Sequence, residues 1–163
     1  MESARRATHG DLDVLVGLAT EGDAHMRALR GGMLWSLTLG HRPPLRDSLA
    51  AELDDPDQHT VVGCIDDAVV GYGNVRIQPL ADGRPLAVVT ELFVTREARA
   101  VGVGEAMMDL LLELCEARGC VGIDAVALPG DRETKNFFET FGLTARAIVV
   151  HRNLGPSDDA ALG

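Results

Sequence analysis

At 163 residues the chain suits one domain with a sizeable core, and its formal net charge of -10 excludes the basic stripe of a nucleic-acid surface. The acidic balance is compatible with steering a cationic amine, although acidic enzymes are common enough that charge alone decides nothing more. No apolar run has the span of a transmembrane helix, Met1 to Arg6 lacks the apolar core of a signal peptide, and Cys64, Cys115 and Cys120 lack metal-ligand spacing, so a cytoplasmic protein with reduced, buried thiols is expected.

Residues Ser3 to Thr8 are predicted to form a short strand, and Thr8-x-x-Asp11 resembles a capping box opening a helix. Leu12, Leu15, Val16 and Ala19 then share one helical face, with the helix expected to end near Thr20 to Gly22. Ala24 to Leu39 reads as helical pieces broken at Gly31-Gly32, Gly40 to Pro44 as a loop, and Leu45 to Leu53 as a helix stopped by Asp54-Asp55-Pro56. The period then changes. Thr60 to Ile65, Ala68 to Ile77 and Pro85 to Val94 are predicted strands of an antiparallel meander, joined by Asp66-Asp67 and by the loop Gln78 to Arg84.

A helix over Glu105 to Arg118 follows, with Met107, Leu110, Leu111 and Leu114 inside and Gly119 placed to cap it. Val121 to Leu128 is a near-continuous apolar strand of the kind covered on both faces. Asp131 should cap a helix that ends at Gly142, Thr144 to Arg152 is a predicted last strand, and Gly155 to Gly163 is expected to be a flexible tail. The chain shows no internal repeat and no second domain.

Between Val94 and the helix lies Arg99-Ala100-Val101-Gly102-Val103-Gly104. Helix N-termini leave N–H groups unpaired and carry partial positive charge, glycines remove the Cβ atoms that would hold a bulky anion away, and Arg99 can add a charge-assisted hydrogen bond. An anion site and an ordinary strand-to-helix turn both fit the bare pattern. A dinucleotide fingerprint does not, because Met107 stands where its third glycine belongs, and a P-loop does not, because the single lysine is Lys135.

The spacing Arg99-x-x-Gly102-x-Gly104 resembles the GCN5-related N-acetyltransferase (GNAT) family, whose motif is Gln or Arg, two residues, Gly, one residue, then Gly or Ala. Downstream, Asn136-Phe137-Phe138-Glu139-Thr140-Phe141-Gly142-Leu143 is similar to the family's Phe-Tyr-Glu helix, and Leu92-Phe93-Val94 to its fourth strand. The likeness is strong from Leu92 to Leu143 and extends more weakly from about Arg5 to Arg152. It implies an α/β (α+β) fold of one GNAT-like acyltransferase domain over residues 1–154, with a mixed, mostly antiparallel central sheet, helices on both faces, and the fourth and fifth strands splayed apart.

The resemblance further implies an acyl-CoA-dependent N-acyltransferase that moves acetyl from acetyl-CoA to a primary amine by direct attack, with no metal. The partners implied are a small amine or a peptide or protein amine, with no nucleic acid and no membrane; a homodimer is left open. In the family the donor's pantetheine arm pairs with the fourth strand, here Leu92, Phe93 and Val94, and its pyrophosphate meets Arg99, Ala100, Val101, Gly102, Val103, Gly104 and Glu105. Asp131, Asn136 and Phe138 complete the expected cofactor-binding set.

Such chemistry needs a base for the amine proton, an N–H donor for the oxyanion and, for easy thiolate departure, an acid. Phe138 replaces the family's tyrosine acid and has no proton to give, while nothing in the sequence places Tyr72, the single tyrosine, near the thioester. Glu91 is the first candidate base, being the one ionisable side chain in the apolar run Leu86 to Val94. The family's best-known glutamate would match Val88, and strand alternation puts Glu91 on the opposite face unless a bulge intervenes. Asp124 is the second candidate, and Thr90 a residue that could position water.

Acceptor selectivity is expected from Met26 to His41, including Met33, Leu34, Trp35 and His41, and from Gln78 to Arg84. Single residues there are read first as core, and His25 and His41 as surface histidines. An acyl-CoA-binding sensor or degenerate enzyme is the alternative function; an interaction module reusing the fold is disfavoured by the intact Arg99 to Gly104 loop.

Overall fold

A computed structural model describes residues 1–156. Five strands form one sheet in the order β1-β2-β3-β4-β5: β1 (Glu2–Arg6), β2 (Gln58–Ile65), β3 (Ala68–Pro79), β4 (Pro85–Val94) and β5 (Ile123–Ala125). The first four are antiparallel neighbours, and β5 runs parallel to β4. Helices α1 (Leu12–Arg27), α2 (Gly32–Thr38) and α3 (Leu45–Asp54) connect β1 to β2, α4 (Val103–Ala117) connects β4 to β5, and α5 (Arg132–Thr140) follows β5.

The sheet separates two apolar layers. On one side Leu12, Leu15, Leu18, Ala19 and Leu49 from α1 and α3 meet Val62, Tyr72 and Phe93. On the other, Val103, Met107, Met108 and Leu111 of α4 and Phe138 of α5 meet Val61, Val75, Ala87 and Val89. Among the described residues no helix is long and apolar enough to cross a membrane. Cys64, Cys115 and Cys120 are free thiols, the first two buried.

Helix α1 runs past its expected end at Thr20 to Gly22, because glycine there is required rather than disruptive. A Cβ on the buried Gly22 would lie 3.2 Å from the Phe93 ring, so its absence lets α1 seat on β4. This contact offsets the roughly 1 kcal/mol that glycine costs inside a helix. At the start of the chain, the Asp11 carboxylate accepts from the Thr8 N–H at 2.8 Å and takes a bidentate pair from Arg5, which holds it down at about 2.

Two expected strands differ. Val121 to Leu128 shrinks to Ile123–Ala125, which pairs with Ala87, Val88 and Val89 before the strands part. Thr144 to Arg152 joins no ladder in the described chain, and every one of its residues is exposed. Of the segment expected to be a flexible tail, residues 157–163 lie outside the described residues.

Candidate active site

Where β4 and β5 separate, a cleft of about 570 Å³ opens through the molecule. One end is lined by Arg99, Ala100, Gly104, Glu105, Asp131, Thr134, Phe137 and Phe138, the other by Asp23, His25, Met26, Leu29 and Trp35, with Thr90 to Val94 along the wall between. A second opening at the mouth is lined by Glu21, His25, Phe93, Arg96, Arg99 and Glu133.

The backbone of β4 is available to the cleft for a reason visible in its pairing. Thr95 N–H donates to Val70 C=O across β3, and Phe93 pairs with Tyr72, so strand alternation turns the backbone groups of Leu92 and Val94 outward into the gap. Phe93, expected alongside them, faces β3 with its backbone and the α1 layer with its side chain. Arg99 Nε donates to Val94 C=O at 3.0 Å, and its guanidinium carbon lies 5.6 Å from the Phe93 ring centre, which ties the loop to the strand.

At the start of α4, Gly102 occupies the N-cap in a left-handed conformation, φ +94°, with no side-chain cap. The first-turn N–H groups of the helix are therefore left for a ligand. Ala100 is also left-handed, φ +61°, an uncommon state for a residue with a Cβ and a sign that the loop is held by its surroundings. A Cβ on Gly104 would approach the Phe137 ring to 3.3 Å, so α4 and α5 meet closely at the base of the cradle. These residues fit a diphosphate: paired backbone donors, no obstructing side chains and an arginine beside them.

The remaining expected donor contacts divide. Phe138 lines the cleft, nearly buried and edge-on to Phe137 at 5.7 Å. Asp131 also lines it, but its carboxylate is engaged as the cap of α5, accepting from Thr134 N–H at 3.2 Å and from the Thr134 hydroxyl at 2.7 Å. Val103 points into the core, Val101 is half-exposed outside the cleft, and Asn136 sits on the exposed face of α5 rather than toward the gap.

Glu91 reaches the cleft because β4 contains a bulge. Val89 pairs with Val75 and Glu91 with Asn74, which leaves Thr90 as an extra residue. One inserted residue reverses the alternation of everything beyond it. Ala87 and Val89 accordingly share the α4 side with Leu92 and Val94, whereas Glu91 and Phe93 share the face of Val88. Thr90 donates to Asn74 Oδ1 at 2.7 Å, and Asn74 Nδ2 donates to the Thr60 hydroxyl at 2.8 Å, so the bulge is fixed by a buried polar chain.

Behind Glu91 lies a network that sequence reasoning missed. Tyr72 donates its hydroxyl to Glu91 Oε2 at 2.6 Å. His41 Nδ1 contacts Glu91 Oε1 at 3.0 Å, and His41 Nε2 contacts Glu52 Oε1 at 2.8 Å. His41, read from sequence as a surface residue, has only 9% of its side chain exposed. Burial opposes its charge, but the hydrogen bonds to Glu52 and Glu91 outweigh that and push it up to about 10. Burial and the Glu91 carboxylate push the Tyr72 phenol well above its ordinary value. No local signal marks His41, since its partners are 11 and 50 positions away in the sequence and meet only through the packing of α3 on the sheet.

Asp124 is not a second base at this site. Arg146 holds it in a bidentate pair that lowers its carboxyl below the ordinary value, and it does not line the cleft. The loop Gln78 to Arg84 also lies outside the cleft lining, closed on itself by Leu80 N–H donating to Arg84 C=O at 2.7 Å. Of the expected acceptor region, Met26, Leu29 and Trp35 line the cleft and are joined by Asp23 and His25 from just before it.

Comparison with known proteins places this geometry. The sequence pattern of the acetyltransferase (GNAT) family matches residues 32–143. No curated protein matches the chain. Among solved structures, an acetyltransferase from Trypanosoma brucei is 22% identical with a TM-score of 0.66, covering 94% of this chain and 100% of that one. A transcriptional regulator from Bacillus halodurans C-125 is 21% identical with a TM-score of 0.71, over 94% and 100% of the two chains. An aminoglycoside acetyltransferase from an uncultured soil metagenomic sample, in complex with sisomicin, is 17% identical with a TM-score of 0.71 over 96% and 97%. At these identities the neighbours establish a shared fold, and the family match covers more than half the chain. The splayed strands, the uncapped glycine turn and the matching family pattern converge: the chain belongs to the acetyltransferase (GNAT) family and is a GNAT-type N-acetyltransferase.

Proposed function

We propose that residues 1–154 form a cytoplasmic catalytic domain that moves acetyl from acetyl-CoA to a primary amine by direct attack. The observation that carries this reading is that one cleft joins the Glu91 carboxylate to the free edge of β4 and the uncapped start of α4. Acetyl-CoA, when bound, supplies the thioester carbon at which a C–N bond forms as the C–S bond breaks. Leu92 and Val94 would hold the pantetheine amides through their outward backbone groups, and the first-turn N–H groups of α4, with Arg99, would hold the pyrophosphate.

Glu91 takes the amine proton, directly or through one water. Its oxygens each accept one contact in the resting network and retain lone pairs for the acceptor. The outward N–H groups of Leu92 and Val94 are the strand donors available to an oxyanion, since that of Phe93 is turned toward β3. Phe138 leaves the departing thiolate without a side-chain acid at the family's usual position, and the Asp131 carboxylate already caps the N-terminus of α5, so solvent supplies the proton. At the acceptor end Glu91 supplies the carboxylate, Asp23 being paired with Arg27 at 2.6 Å, while Met26, Leu29 and Trp35 provide an apolar wall. The acceptor is accordingly a small amine, or a peptide or protein amine.

A second reading, an acyl-CoA-binding sensor without efficient turnover, is favoured by Phe138 and by the engagement of Glu91 with His41 and Tyr72. Thiol release measured with acetyl-CoA and a panel of amines separates the two. Turnover that falls in Glu91→Gln supports the enzyme, whereas CoA binding without turnover across the panel supports the sensor.

A further inference from the structure

The end of the cleft away from the glycine turn is walled by apolar side chains that the core does not use. After α1, Gly31 is left-handed at φ +76° and turns the chain back, so that α2 starts against the end of α1. A Cβ on Gly32 would overlap the Met26 carbonyl oxygen, so only glycine lets the two helices meet this closely. Across the junction the Ser36 hydroxyl donates to Asp23 at 2.7 Å and Arg27 Nε donates to the Ser36 hydroxyl at 3.0 Å. On the face fixed in this way, Met26, Leu29 and Trp35 line the cleft. Trp35 is only 9% exposed, yet none of the three is part of the two apolar layers beside the sheet. Large apolar side chains gathered at a cleft with a few polar groups are the usual lining of a small-molecule site.

The charges at this end are already matched. Asp23 pairs with Arg27 at 2.6 Å, and Glu91 faces His41 at 3.0 Å, which its two glutamate partners keep protonated. Glu105, Asp131 and Glu133, the other carboxylates of the cleft, belong to its opposite end, and Glu21 lines the neighbouring opening beside Arg96 and Arg99. Glu91 retains lone pairs for one amine. A second cation along the same acceptor would lie against Met26, Leu29 or Trp35 with no uncommitted carboxylate, and the amides of a peptide would lie there without hydrogen-bond partners.

We infer that the acceptor is a small monoamine with an apolar body, a primary amine carrying an alkyl or aryl group, rather than a polyamine, an aminoglycoside or a peptide. This deepens the acetyl-transfer reading and rests on it. The amine nitrogen bonds to the thioester carbon as the C–S bond breaks, its proton passes to Glu91, and the products are the N-substituted acetamide and CoA thiol.

The test compares n-pentylamine with putrescine, two probes of equal length in which a terminal methyl is exchanged for an ammonium. Thiol release gives kcat/KM, and fluorescence of Trp35, the single tryptophan, gives binding with and without CoA. Both should favour n-pentylamine at least tenfold, and affinity should rise roughly two- to fourfold per methylene from propylamine to n-pentylamine. Leu29→Glu places a carboxylate on the half-buried wall and should reverse the preference; Met26→Glu makes the same test should the first variant melt early. A fluorescence preference for n-pentylamine with no thiol release would remove acetyl transfer and keep the ligand class. Equal or better use of putrescine, spermidine or kanamycin, as a cation held over Trp35 would give, overturns the inference. So does turnover confined to a peptide, a Trp35 signal that no monoamine moves, or a preference unchanged in both folded variants.

Discussion

Replacing His41 by alanine removes a cation held between two nearly buried carboxylates. The two contacts measure 2.8 and 3.0 Å, and the Glu52 and Glu91 side chains are only 18% and 12% exposed. Removing one partner of a buried ion pair costs about 3–5 kcal/mol, because the charge left behind has lost both its counter-ion and its water. Residual solvent contact at both glutamates puts the expected loss near the lower end, about 3 kcal/mol, and the truncated imidazole adds a cavity penalty to it.

The same network gives a pH signature that cavity formation alone does not. His41 titrates at about 10 in the folded protein, whereas an unfolded histidine titrates near ~6.5. Between those values the folded state holds a proton that the unfolded state has released, so stability falls as pH rises; it is fully present below the unfolded value and lost through the folded one. The limiting slope is about 1.4 kcal/mol per pH unit. Urea unfolding followed by far-UV circular dichroism at pH 6, 7, 8 and 9 measures it. The wild type should lose stability across this series, and His41→Ala should show a shallower dependence by about that slope. Parallel pH curves for the two proteins, or a loss at pH 7 below about 0.5 kcal/mol, would refute the charged relay.

Glu91→Gln keeps the hydroxyl contact from Tyr72 but loses the base, so kcat for amine acetylation should fall about 10²–10⁴-fold with CoA affinity retained. An unchanged rate would remove Glu91 from catalysis. Gly102→Val forces a β-branched residue to φ +94° at the uncapped start of α4; binding titration should show CoA affinity lost, with about 1–3 kcal/mol of stability lost as well. Unaltered CoA affinity in the folded variant would sink the cradle assignment. Phe138→Tyr returns a hydroxyl to the cleft wall and should raise kcat if thiolate departure limits turnover; equal rates in single-turnover kinetics would place the barrier elsewhere. Asp131→Ala removes the cap of α5 and should cost about 1 kcal/mol in urea unfolding, and a cost near zero would mean that the Thr134 contacts are not stabilising.

Much of the architecture was legible because it is written in local periodicity. The meander from β2 to β4, the amphipathic α4 with Met107 and Leu111 inside, and the positive-φ turns at Gly119 and Gly142 each follow from spacing or from a single residue's backbone freedom. Boundaries that depended on packing were less legible. Helix α1 continues through Gly22 because Phe93 occupies the missing Cβ volume, a contact between residues more than 70 positions apart. Thr144 to Arg152 has the β-branching of a strand, yet pairing is a property of two segments, and in the described chain this one joins no ladder.

The proposed donor side of the site was legible in the sequence because it is made of backbone: a glycine turn opening a helix needs only the right residues in the right local order. The proposed catalytic side required the tertiary structure. Whether Glu91 faces the cleft turned on a single-residue bulge at Thr90, held by Asn74 and Thr60, and strand alternation alone put it on the other face. That His41, Glu52 and Tyr72 converge on Glu91 turned on helix-to-sheet packing, since side-chain electrostatics depend on distances in space that chain spacing does not encode. The motif at Arg99 to Gly104 and the helix over Asn136 to Leu143 carried the resemblance to the family, and folding decided which carboxylate stands at the centre of the cleft and what holds it there.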